Sequence, residues 1–144
     1  RNVRNQEPSK AIDGNTRTTW FDLAMRPLIV ELPTLTTLTS FSFTTGNDAL
    51  GRDPVQWRLE GSVTGKTDWT LLHSTTTDFL TPSARGARTV WFQTSQASIV
   101  DLHMVLFITT HLSNHHREFL KRCWPSAIRH SAILRFADVI FYSA

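Results

Sequence analysis

Apolar and polar residues alternate with the two-residue period of a half-buried strand along much of this 144-residue chain. Leu28, Val30 and Leu32 face one way and Ile29 and Glu31 the other, after Pro27 and before Pro33. Phe41 and Phe43 alternate with Ser40, Ser42 and Thr44. Val55, Trp57 and Leu59 share one face of a third strand, with Gln56, Arg58 and Glu60 on its wet face. The spacing predicts further strands over 68–73, 87–94, 103–110 and 133–142. Turn chemistry separates them: Gly46-Asn47-Asp48, Gly51-Arg52-Asp53-Pro54, and 61–66. Residues 1–26 lack periodicity and read as a loop-rich lead-in, and 74–88 reads as a polar loop carrying Phe79 and Leu80. Short strands at this spacing predict an all-β, antiparallel jelly-roll β-sandwich.

One stretch breaks the pattern. Over 113–132, Ser113 or Asn114 fits a helix cap and Phe119, Leu120 and Trp124 an apolar stripe, with Pro125 ending or kinking it. The expectation is a short helical insertion before the last strand, within a single domain spanning 1–144.

Composition supports the strand reading. There are 20 Thr, 9 Phe and 5 Trp, residue types that favour strands. A hydrophobic share of 40% and a charged share of 19% suit a packed core. Cys123 is the one cysteine, so no internal disulfide forms. No apolar run is long enough to span a bilayer, and Arg1-Asn2-Val3-Arg4 has no apolar signal region. The net charge is +3, and all of it falls between His111 and His130, where four basic residues meet one acid. A nucleic-acid footprint would be spread along a face, so no nucleic-acid partner is expected.

Ala11-Ile12-Asp13-Gly14-Asn15-Thr16-Arg17-Thr18-Thr19-Trp20 resembles the opening motif of discoidin domains, also called coagulation factor V/VIII type C domains. Sugar-binding modules of the galactose-binding-like superfamily share that motif. Residues 42–48, Gly51 to Ser62 and Leu134 to Tyr142 are similar to later family segments, in the same order. The resemblance implies a sandwich with binding loops at one end, and a recognition module rather than an enzyme. Its ligands would be glycans, phospholipid surfaces or protein partners, in an extracellular or cell-surface setting.

Four constellations carry candidate chemistry. Asp13, Asn15 and Thr18 offer three side-chain oxygens around Gly14, a set suited to calcium, or else to a metal-free Asx turn. The resemblance adds a backbone carbonyl near Lys10 and the pair Ala137 and Asp138, making a structural calcium site that ties the chain's ends together. Arg52 stands beside Asp53, with Asp48 nearby; the arginine either braces its loop through a carboxylate or meets a ligand. Trp20, Phe43 and Trp57 read as core, leaving Phe21, Asp22, Phe79, Arg85 and Arg88 as loop candidates for ligand contact. Finally, His115, His116, Arg117, Lys121 and Arg122, with His111, His130 and Cys123 near them, match no zinc spacing. They read as a solvated basic face that could dock an acidic partner. No nucleophile elbow, phosphate loop or His-Glu-x-x-His motif is present. The leading expectation is a non-catalytic module that binds glycans or mediates adhesion; the rival is an accessory subunit docking in a larger assembly through 113–132.

Overall fold

The computed structural model describes residues 6–22, 26–47, 50–95, 102–112 and 134–143, and for Phe21, Leu50, 103–112 and 134–143 it describes the backbone. Eight strands form among these residues: β1 (Trp20–Asp22), β2 (Leu28–Thr36), β3 (Leu38–Thr45), β4 (Pro54–Ser62), β5 (Thr70–Thr75), β6 (Phe92–Gln93), β7 (Leu102–Leu112) and β8 (Leu134–Ser143). They pair antiparallel in two four-stranded sheets, ordered β1-β8-β3-β6 and β2-β7-β4-β5. The chain is an all-β sandwich, as its alternation predicts. The stretch 113–132, where a helix was expected, lies outside the described residues.

The core sits between the sheets. Trp57, Phe41, Leu59 and Leu72 are completely buried, with Trp20, Leu28, Leu38, Phe43 and Leu102 close behind. Each such side chain contributes about 1.5–3 kcal/mol on leaving water. Phe43, Phe92 and Phe79 all meet Trp57 edge-on, with ring centroids 5.4, 4.9 and 5.6 Å away.

Three boundaries differ from the sequence expectation, each for a local reason. Pro33 does not end β2, which continues to Thr36. β2 lies at a sheet edge, and its pairing with β7 shifts register between Glu31 and Thr36, so an imide without N–H is tolerated there. The strand expected over 87–94 shrinks to Phe92–Gln93 and an isolated bridge between Arg88 and Thr44. Between them the Thr89 hydroxyl, not a backbone carbonyl, accepts the Phe43 N–H at 3.2 Å, which interrupts the ladder. Trp20–Asp22 forms a strand inside the lead-in that showed no periodicity, because three residues are too few to show one.

Register decides where the loops gather. Asp22 ends β1 opposite Leu134, the first residue of β8, and Thr45 ends β3 opposite Phe136. In the other sheet Pro54 begins β4 opposite Leu112, the last residue of β7. Leu28 begins β2 opposite Phe107, and Thr75 ends β5 opposite Trp57. One end of the sandwich therefore receives the β1–β2, β3–β4 and β5–β6 connections, and β7 finishes and β8 starts there. The opposite end carries the Thr37 link between β2 and β3 and the β4–β5 hairpin turn.

Candidate functional site

All six ligand candidates read from the sequence lie on that first end, the loop end. Asp22 closes β1 and is 2% exposed. Arg26 reaches it across the β1–β2 connection, with Nε 2.7 Å and one terminal nitrogen 3.4 Å from its carboxylate oxygens. Arg26 was not singled out in the sequence; a cation four residues after the acid was the available signal. Asp22 is thus a buried ion-pair member. For Phe21 the backbone alone is described, paired with Arg135.

Arg52 ends a short 3-10 turn (Leu50–Arg52) in the β3–β4 connection and is half-buried. Its neighbour Asp53 is 1% exposed. The guanidinium that grips Asp53 belongs to Arg85, through two parallel bonds of 2.7 Å. This fork-to-fork geometry is the strong form of the arginine–carboxylate pair. The brace expected at Asp53 exists, but its arginine comes from the β5–β6 connection. Arg85 is accordingly a tie between two loops.

The 76–91 connection is held at several further points. Phe79 donates its N–H to the Val55 carbonyl at 2.9 Å, and its ring packs half-buried against Trp57 and Phe92. Phe79, a loop candidate for ligand contact, fastens the loop to the core through this packing. Gln56 donates to Asp78 at 2.8 Å. Thr45 donates its N–H to the Ala87 carbonyl and receives the Ala87 N–H on its hydroxyl. Gly86 makes the intervening turn at φ +65°, a conformation that favours glycine. The tied-down loop presents outward Leu80 (91% exposed), Arg88, Val90 and Trp91 (42% exposed). Among the described residues this rim bears Arg52, Arg88 and the partly exposed indole of Trp91.

The Asp13 loop lies away from this rim. Its preceding 3-10 turn (Pro8–Ala11) packs on β8 and β1, and the Trp20–Phe136 pairing puts 137–138 next along β8 on the side from which the loop arrives. The ends of the chain therefore meet as expected. Within the loop Asp13 accepts the Asn15 N–H at 3.0 Å, and the Asn15 amide oxygen accepts the Arg17 N–H at 3.0 Å. The Thr18 hydroxyl stands 2.8 Å from three oxygens, both of Asp13 and the carbonyl of Asn15, yet has one proton to share among them. Such oxygen crowding fits the donor set of a hard cation. The Thr18 hydroxyl chiefly, and the Asn15 N–H, hold the Asp13 carboxyl below its ordinary pKa. Lys10 sends its ammonium to Asp13 at 3.5 Å.

Among the described residues no three His, Cys, Asp or Glu side chains gather as a metal cluster, and no helix is long and apolar enough to cross a membrane. His115, His116, Arg117, Lys121 and Arg122 lie outside the described residues.

No family model matches the sequence, and no curated protein matches it. Solved structures do. The F5/8 type C domain of a Bacteroides fragilis protein superposes with a TM-score of 0.68 at 16% identity, covering 97% of this chain and 82% of that one. The family 32 carbohydrate-binding module of Clostridium perfringens NanJ, solved with galactose, gives 0.66 at 14% identity over 99% of this chain and 88% of that one. A chitosan-binding module from a Paenibacillus chitosanase/glucanase gives 0.62 at 14% identity, covering 98% and 88%. At these identities the likeness is one of fold: the chain has the discoidin-like, galactose-binding fold of F5/8 type C domains and family 32 carbohydrate-binding modules.

Proposed function

We propose that the chain is a non-catalytic glycan-binding module that reads its ligand with the loop end of the sandwich. The observation that supports this most is the full-length likeness of fold to carbohydrate-binding modules, one of them solved with galactose. The rim adds chemistry of the right kind. Sugars are bound by an apolar surface under the ring and a few fixed polar groups around it. Trp91 and Leu80 supply accessible apolar surface, and Arg52 and Arg88 supply donors on braced loops. Bracing matters because a donor held in place loses little entropy on binding. Titration of galactose-type and chitosan-type saccharides by calorimetry, beside a glycan array, tests the reading. Binding in the micromolar to millimolar range is expected, and no binding to any saccharide at millimolar concentration overturns it.

We further propose that calcium occupies the Asp13 loop as a structural ion. Asp13, Asn15 and Thr18 would hold it, with a carbonyl near Lys10 and oxygens of Ala137 and Asp138. When bound, it would add its charge to that of the Lys10 ammonium beside the Asp13 carboxylate. Its role would be to tie the lead-in to β8.

A further inference from the structure

The connection that carries Leu80, Arg88, Val90 and Trp91 leaves β5 after Thr75 and re-enters the sheets at Phe92. Its two stems meet at one side chain, His73, which belongs to the first stem and packs on the second. The His73 imidazole lies 5.6 Å from the Phe92 ring and, edge-on, 5.3 Å from Phe41. A second tie runs beside it: the Ser95 N–H and hydroxyl both donate to the Leu72 carbonyl, at 2.6 and 2.7 Å. Phe92 in turn meets Phe79, 5.1 Å away, whose N–H is bonded to Val55. Phe92 is half-buried and its neighbour Trp91 exposed, so the seating of the first sets the stance of the second.

The junction is polar as well as apolar. His73 Nδ1 accepts the Trp57 indole N–H at 3.3 Å, with the two ring planes 17° apart. The completely buried Trp57 ring also touches Phe79 and Phe92, so this bond is joined to both aromatic anchors of the loop. Only the neutral imidazole offers Nδ1 as an acceptor; the imidazolium carries a proton on each nitrogen and would set two donors face to face. Burial opposes the charge as well and lowers the His73 pKa. The rings that meet it, Phe41, Trp57 and Phe92, do not titrate. β3, β5 and β6 carry no charged residue. On β4, Arg58 and Glu60 flank Leu59, the residue paired with His73, and bond to each other. In the loop Asp78 is bonded to Gln56, Arg85 to Asp53, and Arg88 is exposed. Among the described residues no carboxylate offsets the burial of His73.

We infer that His73 is the positioning residue of this loop: neutral, it holds Phe79, Phe92 and hence Trp91 in place, and its protonation loosens the loop and weakens saccharide binding. The inference rests on the glycan-binding reading and supplies the regulation of its site. His73 is half-buried, so protons reach it from solvent without opening the core. Linkage fixes the sign. A saccharide that binds the loop held by neutral His73 competes with one proton. Affinity therefore falls as pH drops below the folded pKa, which lies under the ordinary 6.5, by at most about tenfold per pH unit. Reciprocally, bound saccharide lowers the His73 pKa further.

Two measurements on the whole chain test this. Hydrogen exchange of the free protein at about pH 7.5 and about pH 5.5, corrected for intrinsic rates, reads the loop by itself. The Phe79 and Ala87 amides, bonded to Val55 and Thr45, should lose protection severalfold at the lower pH, while amides of the β2–β7 pair keep theirs. Calorimetric titration with galactose and tri-N-acetylchitotriose, neither of which titrates in this range, should show affinity falling severalfold over the same interval. His73→Gln keeps an acceptor without a titrating ring, so both pH responses should vanish while binding near neutral pH persists. Loop protection that is equal at both pH values, or lost equally in β2 and β7, overturns the inference and leaves the glycan-binding reading standing. A His73→Gln chain with the parent's full pH response does the same, and the parent's profile alone decides if that variant does not fold. No binding of either sugar at millimolar concentration overturns the saccharide half of the inference, and a blank glycan array then overturns the glycan-binding reading itself; loop exchange still decides the positioning role.

Discussion

Arg85 holds Asp53 with two 2.7 Å bonds across 32 residues of chain, tying the β5–β6 connection to the start of β4. Asp53 is 1% exposed, so water does little for its charge and the guanidinium fork of Arg85 bears directly on it. Arg85→Gln would leave the carboxylate buried without its paired donors. Losing one member of a buried pair costs about 3–5 kcal/mol, and the partial exposure of Arg85 places the loss near about 3 kcal/mol. Urea denaturation should show that loss. Arg85→Lys should recover only part of it, because an ammonium cannot make the paired bonds. An unchanged midpoint would mean the pair adds nothing to the fold.

His73 stacks on Trp57 and accepts its indole N–H at Nδ1, 3.3 Å away. Burial lowers its pKa, and a protonated Nδ1 could not accept that bond. The sign follows from linkage. Below about pH 6.5 the unfolded chain takes up a proton that the folded chain resists, so stability falls as pH drops through 6.5 and levels off below the folded pKa. His73→Gln keeps an acceptor but does not titrate. Its stability should decline less than that of the parent between pH 7 and 5, measured by denaturant midpoint at each pH.

Asp68 gathers the β4–β5 turn. It accepts the Ser62 hydroxyl at 2.6 Å, the Thr64 hydroxyl, and the backbone N–H groups of Val63 and Thr64 at 2.8 and 3.0 Å. These donors, the Ser62 hydroxyl first, hold its carboxyl well below the usual range. The stability it adds is present above the ordinary carboxyl pKa near 3.8 and is lost as pH falls below that value. Asp68→Ala should lower the melting temperature at pH 7, with the deficit shrinking as pH falls toward 2. A constant deficit would show that ionisation of Asp68 is irrelevant.

Gly61 sits where β4 passes under the core. A Cβ there would lie 2.7 Å from both terminal methyls of Leu102 and 3.0 Å from one of Leu72. Gly61→Ala should cost about 1–3 kcal/mol through overpacking. Adding Leu102→Val to it should relieve part of that cost, which a double-mutant cycle would read as favourable coupling.

Calcium bound at Asp13 would stabilise the folded chain by mass action, so melting temperature should rise with calcium and fall with a chelator. Asp13→Ala should abolish the calcium response. A melting temperature indifferent to both calcium and chelator would remove the metal from the loop and leave the Asx turn.

The strands that alternate cleanly were legible because a period of two needs only local information: Leu28, Val30 and Leu32, then Val55, Trp57 and Leu59, are buried as their spacing predicts. His73 was not. It follows Leu72, and adjacent residues normally face opposite sides. The shift in β4–β5 pairing between Leu59 and Glu60 leaves Leu72 outside the ladder, so Leu72 is buried and His73 still meets Phe41 and Trp57. A bulge is set by the partner strand, which local alternation does not contain.

By itself the order of apolar and polar residues determined the all-β class, most of the strands and the aromatic core, because burial on a pleated sheet is written at every second residue. Which arginine meets Asp53, which phenylalanine turns inward, and which connections share an end were decided only in the tertiary structure. Those relations join residues tens of positions apart, and register and sheet order bring them together rather than any local preference.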